Sequence, residues 1–297
     1  MINYSFIIPH RNVPLLLERC ITSIPSRSDI EIIVIDDNSE DIDVLQSMDC
    51  LKKDNIHLIF LSKEESRGAG YARNRGIDIA QGRWLVFADS DDTFDTMNLD
   101  KAMYECIKLD VDIVYFDVNC LDLETHTHLD NLNKSYKQYI YSRNKSEIGC
   151  RFYIRVPWGK FVKRELVERE TIRFDEIPVA NDLMFSLKIG CNAKSVLIKK
   201  YPIYNYMVHK NSITSNKSKD ALFTHFMVNV NRNHYLEERK LYRYRNSLFS
   251  SIHMLLDKIK VPLGKSLNLI LKNTPMRFIL RDLGVFLYDV FVYFLKY

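Results

Sequence analysis

Residues 31–39 read Glu-Ile-Ile-Val-Ile-Asp-Asp-Asn-Ser, an apolar run that ends abruptly in acidic and small polar residues. Four consecutive β-branched side chains predict a strand buried on both faces, as in a parallel sheet with helices on either side. The acids Asp36 and Asp37 would then lie at the carboxyl end of that strand. Because ligands of open parallel sheets bind beyond this end, these acids are candidate site residues.

Similar apolar runs occur before and after this strand, separated by segments with helical spacing. Strands are predicted at 4–8, 57–61, 84–88 and 113–116, and helices at 13–24, 42–53, 69–80 and 97–109. Pro9 is expected to end the first strand. Repeated strand–helix units favour right-handed crossovers, so the predicted fold class is α/β, with a mainly parallel sheet flanked by helices.

The strand–helix rhythm stops near residue 117, and three regions are expected: 1–117, 118–215 and 216–297. Residues 117–145 are polar and aromatic, which indicates a loop or a hairpin. The last region has a helical pattern and is predicted to be a C-terminal helical extension. No internal repeat is visible.

The composition excludes several classes of protein. The chain has 297 residues, of which 46% are apolar and 27% charged, so disorder throughout is excluded. Its six cysteines form no CxxC pair, which argues against a zinc site and favours a reducing compartment. Residues 1–9 lack the basic flank and long apolar run of a signal peptide. A cytoplasmic location is therefore expected.

A second acidic group, Asp89-Ser90-Asp91-Asp92, follows the predicted strand 84–88. Two acidic groups at one sheet edge would repel each other unless a cation or hydrogen-bond donors lay between them. Oxygen ligands with this spacing suit Mg²⁺ or Mn²⁺. The alternative is that these acids, like Asn38 and Ser39, cap helix N-termini. No GxGxxG follows the first strand and no P-loop motif is present.

Four segments together resemble glycosyltransferase family 2. They are Ser5-Phe-Ile-Ile-Pro9, Glu31-Ile-Ile-Val-Ile-Asp-Asp-Asn-Ser39, Gly70-Tyr-Ala-Arg-Asn-Arg-Gly76 and Gly82-Arg-Trp-Leu-Val-Phe-Ala-Asp-Ser-Asp-Asp92. They occur in the family's order and at its spacing over roughly the first 100 residues. The resemblance implies a GT-A type (Rossmann-like) fold, a nucleotide-diphosphate sugar donor, a divalent metal and inversion at the anomeric carbon. Regions 1–117 and 118–215 would then be the donor-binding and acceptor-binding halves.

The resemblance also implies roles for residues in the donor-binding half. Asp37 matches the acid that hydrogen-bonds the nucleotide base. Asp91 matches the acid that touches the metal, and Asp89 the acid nearer the ribose, so the predicted metal ligands are Asp91 and Asp89. The other predicted donor-binding residues are Pro9, Arg11, Arg73 and Ser90. For Arg73, a salt bridge on a helix surface is the alternative.

Two later segments resemble the family's acceptor side. Pro157-Trp-Gly-Lys-Phe161 resembles the segment before the acceptor site, and Asn181-Asp-Leu-Met-Phe185 the segment that supplies the catalytic base. The implied base is Asp182, preceded by Asn181 where the family often has Glu, and the implied acceptor-binding residues are Trp158, Lys160 and Asn181. Asp182 could instead cap a helix, and Lys160 could be a solvated loop residue. The weaker match at 208–214 includes His209.

A sugar hydroxyl needs a base to attack, and a departing nucleoside diphosphate needs its charge neutralised. Asp182 and a metal held by Asp91 would meet these needs. The sequence lacks QxxRW and any run of 18 apolar residues, so addition of a single sugar is favoured over processive synthesis. The expected enzyme is a hexosyl- or N-acetylhexosaminyl-type transferase using a UDP-sugar. Its acceptor would be a saccharide or a lipid-linked oligosaccharide in bacterial surface polysaccharide synthesis.

The charge of the chain is uneven. Residues 232–281 contain eleven Lys and Arg against three acids, a net of +8 in a chain whose total is +4, so the remainder carries −4. Residues 283–295 are largely apolar and aromatic. Together these features predict an interfacial helix on an anionic membrane, at the inner face of the cell membrane. The alternative is a helix that packs on the protein or on a second copy in a homo-oligomer. Nucleic acid is not an expected partner.

Two other functions fit parts of the sequence. Asp89-Ser-Asp91-Asp92-Thr93 also matches the DxDxT signature of haloacid-dehalogenase-like phosphohydrolases, with Asp89 as nucleophile and Asp91 as acid–base. In that class the motif usually opens the fold, whereas three strands precede it here. The second alternative is an inactive nucleotide-sugar-binding scaffold.

Overall fold

The computed structural model describes residues 1–40, 42–129, 134–142, 146–208 and 218–246. The chain divides into two compact units, Met1–Ser212 and Ile213–Tyr297. Everything said of the site below concerns the first unit. The predicted interfacial helix at 283–295 and the match that includes His209 lie outside the described residues.

The first unit alternates strands and helices over most of its length. Its strands are β1 Tyr4–His10, β2 Ile30–Asp36, β3 Ile56–Phe60, β4 Trp84–Phe87, β5 Thr93–Phe94, β6 Ile113–Asp122, β7 Lys160–Lys163 and β8 Val196–Val208. Its helices are α1 Pro14–Thr22, α2 Ile42–Ser47, α3 Ala69–Ile79, α4 Thr96–Cys106, α5 Lys134–Tyr141, α6 Ser146–Tyr153, α7 Arg164–Arg169 and α8 Asn181–Asn192. The second unit contains α9, Lys219–Glu238. Among the described residues, no helix is long and apolar enough to cross a membrane.

The eight strands form one mixed sheet in the order β3-β2-β1-β4-β7-β6-β8-β5. β3, β2, β1 and β4 are parallel, and so are β6 and β8. β7 is antiparallel to both β4 and β6, and β5 is antiparallel to β8. Six strands therefore run in the same direction, and their carboxyl ends share one edge, which confirms the predicted α/β architecture.

The central strands are buried as their composition requires. Every residue of β1 and of β2 is buried, so both strands are covered on both faces. The prediction that Pro9 ends β1 is wrong, because β1 continues to His10. Ile7 O accepts from Ala88 N on the β4 side, so Pro9 faces the same side by alternation. Pairing with β4 ends before Pro9, and the missing N–H costs no ladder bond.

Residues 117–145 are not simply a loop or hairpin. β6 extends through Asp122 and pairs with β8 with a register irregularity near Asp117. The chain turns back at an isolated bridge between Leu121 and His128, and α5 follows. Tyr136 and Ile140 of α5 are buried, so an aromatic and a β-branched side chain, types that are common in strands, form the inner face of a helix here. Tertiary packing has overridden local preference.

Two glycines of α3 set where this helix lies. A Cβ at Gly76 would be 2.5 Å from Ile7 Cγ2, so the glycine lets α3 rest closely on β1. A Cβ at Gly70 would collide with the backbone oxygen of Asp175, in the segment that leads to α8. Close packing at both points brings the middle of α3 toward the N-terminus of α8.

Candidate active site

The acids predicted from the sequence lie at the shared carboxyl edge of the sheet. Asp37 follows β2, and its N–H donates to His10 O at the end of β1 at 2.8 Å. Asp89 to Asp92 follow β4, the other neighbour of β1. The edge is therefore acidic at two strand ends, one on either side of β1, as the motif spacing predicted.

A buried network that the sequence did not predict holds the turn after β1. His10 Nδ1 lies 2.8 Å from Asp36 Oδ1, and His10 Nε2 accepts from Val13 N at 3.2 Å. Both ring nitrogens of His10 are therefore engaged, one by a carboxylate and one by a backbone N–H. Ser39 donates to Asp36 Oδ1 at 2.5 Å and accepts from Asn12 N, so it braces this turn. A histidine at the end of one strand, opposite an acid at the end of the neighbouring strand, is the signal that could have found this network.

Asp37 has one carboxylate oxygen bound and one unpartnered. Oδ2 accepts from Gly68 N at 3.0 Å and lies 3.8 Å from Nη1 of Arg11, whose side chain is 57% exposed. Oδ1 is buried and has no hydrogen-bond partner among the described residues. A buried acceptor without a donor is costly, so this atom is suited to a ligand N–H.

Arg73 connects the donor-side acids to α8. Its Nη2 lies 2.5 Å from Asp89 Oδ1, its Nη1 donates to Asn181 Oδ1 at 2.9 Å, and its guanidinium lies over the Phe174 ring. The side chain is 6% exposed, so the alternative of a surface salt bridge is wrong. A buried cation between the acidic edge and α8 joins the two sides of the predicted site.

Asp92, the last acid of the cluster, has a role that the sequence did not predict. It is fully buried, and it accepts from Tyr204 Oη and from Met207 N, both at 2.7 Å. Asp89 N in turn donates to Tyr204 Oη at 3.0 Å. Burial raises the pKa of Asp92 well above its usual value, and the charges of Asp89 and Asp91 raise it further. Asp92 thus anchors the loop of residues 89–92, the acidic loop, to β8.

The structure does not support the alternative in which these acidic residues cap the N-termini of helices. Asp95 caps α4, accepting from Asn98 N, so the acids before it do not. The residue before α8 is Ala180, with φ 56° and no side-chain cap, so Asp182 is not a cap either. Asp182 lies in the first turn of α8, half-buried, where the helix dipole favours a carboxylate.

Two opposing influences act on the ionisation of Asp182. Burial raises the pKa of its carboxyl, and the negative charge of Asp89 adds to this. The positive charges of Arg73 and Lys160 lower the pKa again. The carboxylate is therefore more basic than an exposed aspartate while cations on two elements favour its ionised form.

The two acceptor-side residues from the PWGKF segment are buried. Trp158 is 8% exposed and its ring stacks with those of Tyr136, Tyr204 and Tyr206 at 5.1 to 5.9 Å. Lys160 is fully buried in β7, so the alternative of a solvated loop residue is wrong. Contact of either residue with an acceptor stays a prediction.

The family model described as Glycosyl transferase family 2 matches residues 5–170, more than half of the chain. The chain belongs to glycosyltransferase family 2. This glycosyltransferase is 30% identical over 224 residues to the GalNAc(5)-diNAcBac-PP-undecaprenol beta-1,3-glucosyltransferase of Campylobacter jejuni. That match covers 73% of this chain and 69% of the relative. Membership of the family favours a transferase over the phosphohydrolase alternative.

Solved structures of other glycosyltransferases share its fold. S. aureus TarS 1-349 in complex with UDP-GlcNAc has a TM-score of 0.60 at 18% identity, over 89% of this chain and 69% of that one. The mannosyltransferase PcManGT from Pyrobaculum calidifontis in complex with GDP-Man and Mn²⁺ has a TM-score of 0.58 at 17% identity, over 96% and 80%. These likenesses confirm the predicted GT-A fold of the glycosyltransferase.

The acidic loop of this glycosyltransferase fits a cation that takes part of its coordination from a substrate. Among the described residues, no group of three or more His, Cys, Asp or Glu side chains could hold a metal by itself. Asp89 and Asp91 supply two carboxylates, and both raise the pKa of the nearby Asp92, which shows how crowded the negative charge is. Mg²⁺ and Mn²⁺ commonly bind through one or two carboxylates plus substrate phosphates. The donor set is therefore suited to a metal–diphosphate complex.

Proposed function

We propose that this glycosyltransferase moves a hexosyl or N-acetylhexosaminyl group from a UDP-sugar to an acceptor hydroxyl, with inversion at the anomeric carbon. The observation that carries the proposal is the buried Oδ1 of Asp37, which has no hydrogen-bond partner among the described residues and lies at the same sheet edge as the acidic loop. A uracil ring offers one N–H donor, which matches one vacant acceptor, and its diphosphate would extend toward Asp89 and Asp91. The structure of TarS with UDP-GlcNAc, a protein of similar fold, supports this donor class.

In the proposed reaction, Asp182 is the general base. The acceptor oxygen attacks the anomeric carbon from the face opposite the diphosphate, its proton passes to the Asp182 carboxylate, and the bond from the anomeric carbon to the diphosphate oxygen breaks. Arg73, held between Asp89 and Asn181, fixes the donor side relative to α8. A divalent cation held by Asp91 and Asp89, when bound, would neutralise charge on the departing diphosphate.

The donor assignment predicts the behaviour of Asp37→Asn. Replacing the carboxylate by an amide removes the charged acceptor, so affinity for the UDP-sugar should fall by about tenfold to a hundredfold. A panel of UDP-, GDP- and dTDP-sugars, measured by thermal shift with Mn²⁺, checks this. Asp54 is exposed, and Asp54→Asn is the matched control. It should bind UDP-sugars as the wild type does. A wild-type chain that no nucleotide sugar stabilises would refute the proposed function.

We propose that the acceptor is a saccharide or a lipid-linked oligosaccharide of bacterial surface polysaccharide synthesis, and that each cycle adds one sugar. The name of the Campylobacter jejuni relative describes a saccharide linked to undecaprenol through a diphosphate, which supports this acceptor class. We propose that the stacked rings around Trp158, in the segment that also carries Lys160, form the acceptor side of the cleft.

A lipid-linked acceptor fits a peripheral location on the inner face of the cell membrane, and we propose that residues 283–295 bind there. Each cation near an anionic leaflet adds on the order of 1 kcal/mol, and residues 232–281 carry a net charge of +8. Deletion of 276–297 removes the apolar segment 283–295, so flotation of the protein with vesicles that contain anionic lipid should be lost. Equal flotation of the shortened chain would instead favour a tail that packs on protein.

A further inference from the structure

Lys160 is a fully buried cation that the proposed chemistry does not yet use. Its Nζ has no hydrogen-bond partner among the described residues and lies 5.1 Å from the centre of the Tyr115 ring. Buried ammonium groups are rare and costly unless they are paired. A side chain kept in this position without a hydrogen bond calls for an electrostatic explanation.

The pleat of the sheet directs Lys160 toward α8. Phe161 pairs with Val86 between β7 and β4, so Lys160 shares a face with the next residue of β4, Phe87. The Phe87 ring contacts Phe185 of α8 at 5.2 Å, so this face of the sheet is the one that α8 covers. Lys160 therefore lies in the layer between the sheet and α8.

Asp182 lies on the side of α8 that faces the segment leading to Lys160. Ser186 Oγ donates to Val156 O at 3.0 Å, which fixes α8 against that segment. Asp182 precedes Ser186 by four residues and so occupies the same helix face, one turn nearer the N-terminus. The charges of Lys160 and Asp182 each stabilise the other.

We propose that Lys160 is a positioning residue for the base: its buried ammonium group acts together with Arg73 to keep the Asp182 carboxylate ionised and ready to accept a proton. This inference rests on the proposed role of Asp182. It gives Lys160 a different part from the acceptor contact that the sequence predicts, because the side chain acts through Asp182 and need not touch the sugar.

The titratable and charged groups around Lys160 and Asp182 are consistent with this positioning role. Lys160 faces Tyr115 on β6, Cys150 on α6 and Asp182 on α8, and burial lowers the pKa of Lys160 to about 7. Asp182 also interacts with Arg73 on α3, Asp89 after β4 and Arg155 before β7. Lys160 therefore carries its charge at acidic pH, where the Asp182 carboxyl takes up its proton. The charge of Lys160 is therefore present at the pH values at which it can keep Asp182 ionised.

The test is the pH profile of kcat/KM in Lys160→Met, whose side chain has a similar length and no charge. Without the cation, the Asp182 carboxyl holds its proton to higher pH, so the acid limb should move up by about one pH unit. At pH values below the acid limb, kcat/KM of the variant should be about tenfold lower than that of the wild type. At alkaline pH the two values should be equal. The thermal midpoint should not fall, because the lost Nζ has no hydrogen-bond partner among the described residues.

Lys163→Met, on the other face of β7 and paired with Asp110, is the matched control and should leave the limb in place. Lys160→Gln gives the same readout if the Met variant does not fold. An unmoved acid limb, with a changed KM for the acceptor, would overturn the inference in favour of acceptor contact. A third outcome separates the two proposals. If nucleotide sugars bind, Asp182→Asn is inactive and the acid limb of Lys160→Met stays at the wild-type pH, the role of Lys160 is wrong and the proposed function stands. If no nucleotide sugar binds, both fail.

Discussion

Asp182→Asn is expected to lower kcat by about two to four orders of magnitude and to leave UDP-sugar affinity nearly unchanged. The amide has almost the shape of the carboxylate but cannot take a proton from the acceptor hydroxyl. Asp182 lies in the first turn of α8, whereas the vacant Oδ1 that we propose to bind the uracil ring belongs to Asp37 after β2, so the substitution leaves that acceptor in place. Release of the nucleoside diphosphate and donor calorimetry measure the two quantities separately.

The pH dependence of the wild type should carry the signature of this base. Burial raises the pKa of Asp182, so activity should be lost, as the pH falls, at a higher pH than for an exposed aspartate. Asp175→Asn is a suitable control, because burial also raises the pKa of Asp175 and its N–H donates to Asn181 O near the same helix end. Its kcat should stay within a few-fold of the wild type. Unchanged kcat in Asp182→Asn would remove this residue as the base.

The acidic edge of the sheet could be predicted because its signals are local. A buried strand followed by acids places Asp37 and Asp89 at a sheet edge without any knowledge of distant packing. The contact of Arg73 with Asp89 spans only 16 residues and follows from α3 packing on β1. Short-range sequence patterns therefore suffice to predict this edge of the sheet and the acids that lie on it.

What the sequence did not predict depends on contacts between distant parts of the chain. The hydrogen bond from Tyr204 to Asp92 joins residues 112 positions apart, and no local pattern marks either one. The burial of Lys160 follows from its place on a strand between β4 and β6, a neighbourhood set by topology. The helix at 134–141 forms because packing buries Tyr136 and Ile140, whatever their preference for strands.

Asp91→Ala is the second change expected to have a large effect. Asp91 matches by position the acid that touches the metal in the family, and we propose it as the main metal ligand. Loss of one of two carboxylates should weaken metal-dependent UDP-sugar binding by about a hundredfold or more. The protein should still fold, because Asp92 rather than Asp91 anchors the loop to β8. Asp110→Ala, an exposed acid, is the control.

Calorimetry of UDP-sugar binding, with Mn²⁺ and then with EDTA, tests most directly whether acids from two strand ends hold one nucleotide diphosphate through a cation. We expect wild-type binding with Mn²⁺, much weaker binding with EDTA, and little response to the metal in Asp91→Ala. Equal affinity in all of these titrations would contradict a cation-bearing cleft at this edge of the sheet.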